Sequence, residues 1–139
     1  VKPTLLQIQD YIWMNETAVR HWEKKAFDKW VAFHWSEGFV CVVKNCFEEI
    51  AGVVMIRPIM EPMDALDPMK FDPEGRGLHI SQVVCTAKGA MAMLGFAALK
   101  RFGEREFISW ERRKPRRKLI VWPVSVFRRN LFRNLRSYT

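Results

Sequence analysis

The chain has 139 residues, 49% of them hydrophobic and 27% charged, and a net charge of +8. That length supports one hydrophobic core without a disulfide or a metal, and the balance excludes a disordered chain, a collagen-like fibre and a membrane-spanning bundle. The charge is lopsided: residues 1–99 carry ten Lys or Arg against twelve Asp or Glu, and residues 100–139 carry thirteen against three.

Taken in chain order, Thr4 is placed to cap a short helix running to about Met14, with Pro3 just ahead of it. A longer helix is expected over 16–35, where Val19, Trp22, Ala26, Trp30 and Phe33 recur every three or four residues and Gly38 follows as a stop. The period then shortens. Residues 39–43 and 50–56 are β-rich runs separated by a short polar turn, which reads as an antiparallel hairpin. Residues 57–77 hold four prolines and five acids and read as a long loop, either a lid over a ligand or a surface insertion, packed down by Met60, Met63 and Met69.

A third strand is expected over 78–86, leading through a short turn into an apolar helix at 91–102 that must be covered on most sides and ends at Gly103. Two further strands follow at 106–110 and 119–122, joined by a basic run. Val124, Phe127, Leu131 and Leu135 then mark one face of a C-terminal amphipathic helix with Arg128, Arg129, Arg133 and Arg136 off that face. The fold expected is α/β: one domain over 1–139, with a mixed, mainly antiparallel sheet of about five strands flanked by helices.

Cys41, Cys46 and Cys85 form no C-x-x-C pair, and His21, His34 and His79 are scattered, so no metal site is expected. Free thiols suit a reducing compartment. The longest apolar run, 90–99, is far short of the roughly 20 residues a transmembrane helix needs, and the N-terminal residues do not resemble a signal peptide. A cytoplasmic protein is the expectation.

The chemistry concentrates where the third strand turns into the apolar helix. Amides and the positive end of the dipole meet at a helix N-terminus, small residues (Ala87, Gly89, Ala90) let a phosphate approach, and Lys88 adds charge. Together with the order of helices, hairpin, strand, turn, helix and strand, this stretch resembles the GNAT-type N-acetyltransferase superfamily over 16–110. The carrying residues are "EIAGVVMIRP" in the hairpin and "HISQVVCTAKGAMAML" at 79–94. In the superfamily's Arg/Gln-x-x-Gly-x-Gly/Ala turn, Thr86 takes the first position, Gly89 the first glycine and Met91 the last position, so Gly89 alone matches.

The resemblance implies acetyl-coenzyme A as cofactor, an amine acceptor, a pyrophosphate turn at Thr86, Ala87, Lys88, Gly89 and Ala90, and strand amides near Val83 and Val84 that polarise the thioester carbonyl. Acyl transfer also needs a base, and Glu111 and His79 are the candidates. A diverged member that has lost acyl transfer fits the same residues. The competing class is a non-catalytic binding module. Arg112, Arg113, Lys114, Arg116, Arg117 and Lys118 form a basic tip between two strands, and with Trp110 and Trp122 they could hold a polyanion such as nucleic acid, or an acidic partner protein. A basic surface that serves only to keep the chain solvated is the bland alternative.

Overall fold

A capping box starts the first helix. The Thr4 hydroxyl accepts from the Gln7 N–H at 3.2 Å, and the Gln7 side chain accepts from the Thr4 N–H at 2.8 Å, which opens α1 (Leu5–Asn15). A computed structural model of the chain describes residues 2–113 and 115–136, with 134–136 as backbone only.

The long helix expected over 16–35 is broken. The Glu16 carboxylate caps the Ala18 N–H and starts a 3-10 turn, Thr17–His21; Trp22 and Glu23 are extended, and α2 runs Lys24–Ser36. In one continuous helix Trp22 and Trp30 would lie roughly 12 Å apart along the axis. The break folds Trp22 back so that the two rings sit 4.9 Å apart. It also resets the buried face of α2, which is Phe27, Trp30, Val31 and His34, leaving Ala26 exposed.

The sheet has five strands in sequential order: β1 (Val40–Lys44), β2 (Ile50–Ile59), β3 (Gly77–Cys85), β4 (Phe107–Arg112) and β5 (Lys118–Pro123). Only β3 and β4 are parallel; the other neighbours are antiparallel. Parallel strands need a crossover, and α3 (Ala90–Phe102) supplies it, while α4 (Val124–Arg136) follows β5. The fold is therefore α/β with a mixed sheet. On one face Val54, Ile56, Leu78 and Ile108 pack with Leu94, Ala98, Val124 and Leu131 of α3 and α4. On the other, Val53, Met55 and Val84 pack with Ile8 and Ile12 of α1 and Phe27 and Val31 of α2.

The α3–α4 contact needs Gly95, because a Cβ there would lie 2.6 Å from a Leu131 methyl. Coverage of α3 is less complete than its composition suggests: Met91 and Met93 are more than half exposed.

The long loop begins later than expected, since β2 continues through Arg57, Pro58 and Ile59, all buried. Of its methionines Met60 is half-buried, but Met63 and Met69 are exposed and do not hold it down. Two other contacts do. Phe71 packs on Phe33 and Phe39, and the buried Arg57 guanidinium donates to the carbonyls of Ala65, Asp67 and Lys70. A charged group inside the protein is tolerable only when its donors are satisfied, and the loop folds around Arg57 to satisfy them.

Candidate functional site: the gap between β3 and β4

The parallel ladder between β3 and β4 runs from the Gly77–Phe107 pair to the Ile80–Trp110 pair and stops there, although β3 continues to Cys85. The reason is local. Met55 of β2 faces Gln82 while Ile56 faces Ile80, so Ser81 is an extra residue in β3. Such a bulge bends and twists its strand, and beyond it β3 and β4 part.

A cavity of about 590 Å3 lies in the gap and is lined from both faces of the sheet. On the α3–α4 side its wall is apolar, made by Leu94, Ala98, Phe127 and Leu131, with Met91 and Asn130 beside them. On the opposite side Glu16, Gln82, Glu111 and Arg113 line it. The wall is thus apolar at one end and charged at the other. A second, more open hollow between α1 and the β1–β2 turn includes Asp10, Tyr11, Lys44 and Glu48.

Strand geometry decides which amides face the gap. The Thr86 N–H donates to the Ala51 carbonyl of β2 at 2.9 Å. Alternation along a strand puts the Val84 N–H on that same side and turns the N–H groups of Val83 and Cys85 to the open edge. Of the two amides expected near the thioester, Val83 faces the gap and Val84 faces β2; Cys85 was not singled out by sequence.

The β3–α3 turn departs in detail from its reading as a phosphate cradle. Thr86 is used for tethering: its hydroxyl lies 2.9 Å from the Tyr11 hydroxyl and 3.4 Å from the Ala51 carbonyl. Gly89 has φ +84, a left-handed conformation that favours glycine, and it is the N-cap of α3. The Ala90 N–H turns back to the Ala87 carbonyl at 3.3 Å, and the Met93 N–H closes the first helical bond to Gly89. The amides of Met91 and Ala92 lie between these two and, among the described residues, are the open ones of the first turn. Ala87 and Lys88 are exposed, Gly89 is half-buried and Ala90 is buried.

The two candidate bases sit in opposite environments. His79 is buried and its Nδ1 lies 2.8 Å from the Ser109 hydroxyl. Burial, then the nearby Arg57 charge, pushes its pKa down to about 3, so the ring is neutral at pH 7. Glu111 is exposed at the charged end of the cavity and ion-paired with Arg117. A carboxylate that the sequence reading missed, Glu16, joins it there. One Glu16 oxygen caps Ala18; the other accepts from Gln82 at 3.4 Å, and Gln82 accepts from Arg113 at 3.3 Å.

A second omission is a buried network behind the bulge, in which Arg57 and His34 both reach the Ser81 hydroxyl. Its signal was in the sequence: an arginine inside "VVMIRPI" must find partners if that run is a buried strand.

The basic tip is exposed at Arg112, Arg113, Arg116, Arg117 and Lys118; Lys114 lies outside the described residues. Its tryptophans are half-buried and turned toward the gap. Trp110 and Trp122 meet edge to face at 4.8 Å, Trp110 lies 6.1 Å from Phe127, and both line the cavity. Among the described residues, no three His, Cys, Asp or Glu side chains cluster as metal ligands, and no helix is long and apolar enough to cross a membrane. Compared with known proteins, the chain matches no family model and no curated protein.

Proposed function

We propose that the chain is a GNAT-like, acyl-coenzyme A-dependent N-acyltransferase whose thioester site is the gap between β3 and β4. The observation that carries this reading is the parting of the one parallel strand pair after Ile80 and Trp110, around a cavity with apolar and charged ends. The residues present fit such a cofactor: an apolar wall suits an acyl–pantetheine chain, and the open amides of Met91 and Ala92 suit a phosphate. When bound, the cofactor supplies an activated acyl carbonyl.

The chain's own residues then have distinct tasks. The N–H groups of Val83 and Cys85 polarise that carbonyl from the open strand edge. Glu16 and Glu111 attract a cationic amine to the charged end. Glu111, which is open to water, takes the proton the amine must lose as it attacks; His79 is buried, where a protonated ring is disfavoured. With such a cofactor bound, the amine nitrogen would take the acyl carbon as the carbon–sulfur bond breaks, the amine's proton would pass through Glu111 to water, and the sulfur would depart as a thiolate that takes a proton from water.

Calorimetric titration of acetyl-coenzyme A tests the reading. One-to-one saturable binding is expected, weakened by Ala87→Glu, which sets a carboxylate on an exposed turn position beside the proposed phosphate site. Absence of binding by the unaltered chain would remove the reading. Gly89→Trp would be a poorer probe, because φ +84 strains any side chain there and would perturb the fold. The second reading, a polyanion-binding module, is favoured by the exposure of the basic tip and predicts salt-sensitive binding of an oligonucleotide.

A further inference from the structure

The basic tip and the gap occupy the same end of the sheet. Because β3 and β4 are parallel, their C-terminal ends lie together. The β4–β5 tip therefore stands beside the end of β3, on the side of the gap opposite the β3–α3 turn. Arg113 already crosses the opening: it lines the cavity and donates to Gln82 of β3.

The tip also carries more positive charge than its surroundings neutralise. Glu111 is paired with Arg117, while Arg112 and Arg116, both exposed, have no carboxylate partner among the described residues. Exposed guanidinium groups crowded on a hairpin repel one another unless an anion lies between them, and their planar donors suit phosphate oxygens. Inside the opening the wall turns apolar at Leu94, Ala98 and Leu131. The shape and charge together call for a ligand with an apolar chain and a multiply phosphorylated head.

We propose that Arg112, Arg113 and Arg116 hold the phosphates of the gap's own ligand, so that tip and gap form one site for a phosphorylated acyl carrier. This inference rests on the acyltransferase reading and deepens it. It gives the C-terminal charge a substrate-binding task and makes the weak match of the β3–α3 turn intelligible, because the phosphates gain a second set of partners from the opposite wall.

The test is a calorimetric titration of acetyl-coenzyme A and S-acetylpantetheine, which lacks the phosphates, into the unaltered protein and into R112A/R116A, which spares the cavity-lining Arg113. Circular dichroism would verify that the variant is folded. For the unaltered protein, acetyl-coenzyme A is expected to bind more tightly than S-acetylpantetheine, with affinity falling as salt rises. The variant is expected to bind acetyl-coenzyme A ~tenfold more weakly, with a shallower salt dependence and no change for S-acetylpantetheine. Equal affinity and equal salt dependence in the variant would overturn the inference and leave the acyltransferase reading standing. Loss of oligonucleotide binding in the variant with acetyl-coenzyme A binding unchanged would also overturn it, assigning the tip to nucleic acid. If the unaltered protein binds neither thioester, both readings fall.

Discussion

The Arg57 guanidinium lies 2.6 Å from the hydroxyl of Ser81, the extra residue of the β3 bulge. That hydroxyl is also 2.8 Å from His34 Nε2, while His34 Nδ1 lies 2.9 Å from the Trp30 carbonyl. A carbonyl only accepts, so Nδ1 carries the proton, Nε2 accepts from Ser81, and Ser81 accepts from Arg57. One buried charge thus ties β2, the bulge, α2 and the 60–76 loop together, and the bulge it braces is what opens the gap.

Replacing Arg57 with Met should therefore cost about 3 kcal/mol, because the carbonyls and hydroxyl it serves lose their donor. Urea unfolding would measure this, and limited proteolysis should find the 60–76 loop newly cleavable. A loss below about 1 kcal/mol would show that water replaces the guanidinium readily.

Acid should destabilise the fold through its two buried histidines. Their folded pKa values are pushed down, to about 4 for His34 and about 3 for His79, chiefly by burial. The unfolded chain takes up these protons near pH 6.5 and the folded one does not. Stability is thus full above that pH and falls as pH drops toward 4, by up to about 3 kcal/mol per pH unit when both rings contribute. Urea midpoints between pH 7.5 and 4.5 would follow the decline, and His79→Gln should roughly halve its slope. An unchanged slope in that variant would place the acid sensitivity elsewhere.

Gly77 opens β3 opposite Phe107, and a Cβ there would fall 2.2 Å from the Phe107 ring. The ring is buried and has Arg76 over its face, so it has little room to move. Gly77→Ala should cost about 2 kcal/mol, read as a lowered thermal midpoint.

Thiol labelling separates the cysteines. Cys46 is exposed, whereas burial raises the pKa of Cys41 and Cys85. One fast equivalent should react with a disulfide reagent in the native protein, and Cys46→Ser should abolish it.

Much of this architecture was legible because local signals agreed with tertiary ones. Thr4 and Gln7 cap α1, Gly103 stops α3, and the β2 run is unbroken enough to be buried on both faces. The errors came where a distant contact overrode a local pattern. The Val19–Phe33 stripe is a good helical repeat, but the Trp22–Trp30 contact and the Glu16 cap interrupt it. Arg57 looked like the start of a polar loop because, beside the Ser81 hydroxyl, its partners are loop carbonyls that no side chain in the sequence identifies. Glu16 was missed because its place depends on how α1 leads into the next turn, and nothing local announces that.

The central claim is that an acyl-coenzyme A thioester lies between β3 and β4, and amide NMR during an acetyl-coenzyme A titration tests it residue by residue. The account predicts saturable shifts concentrated at the amides of Val83, Cys85, Met91 and Ala92, with Arg113 moving as it leaves Gln82. Shifts confined to the hollow around Asp10 and Glu48, or no saturable shifts at all, would contradict it.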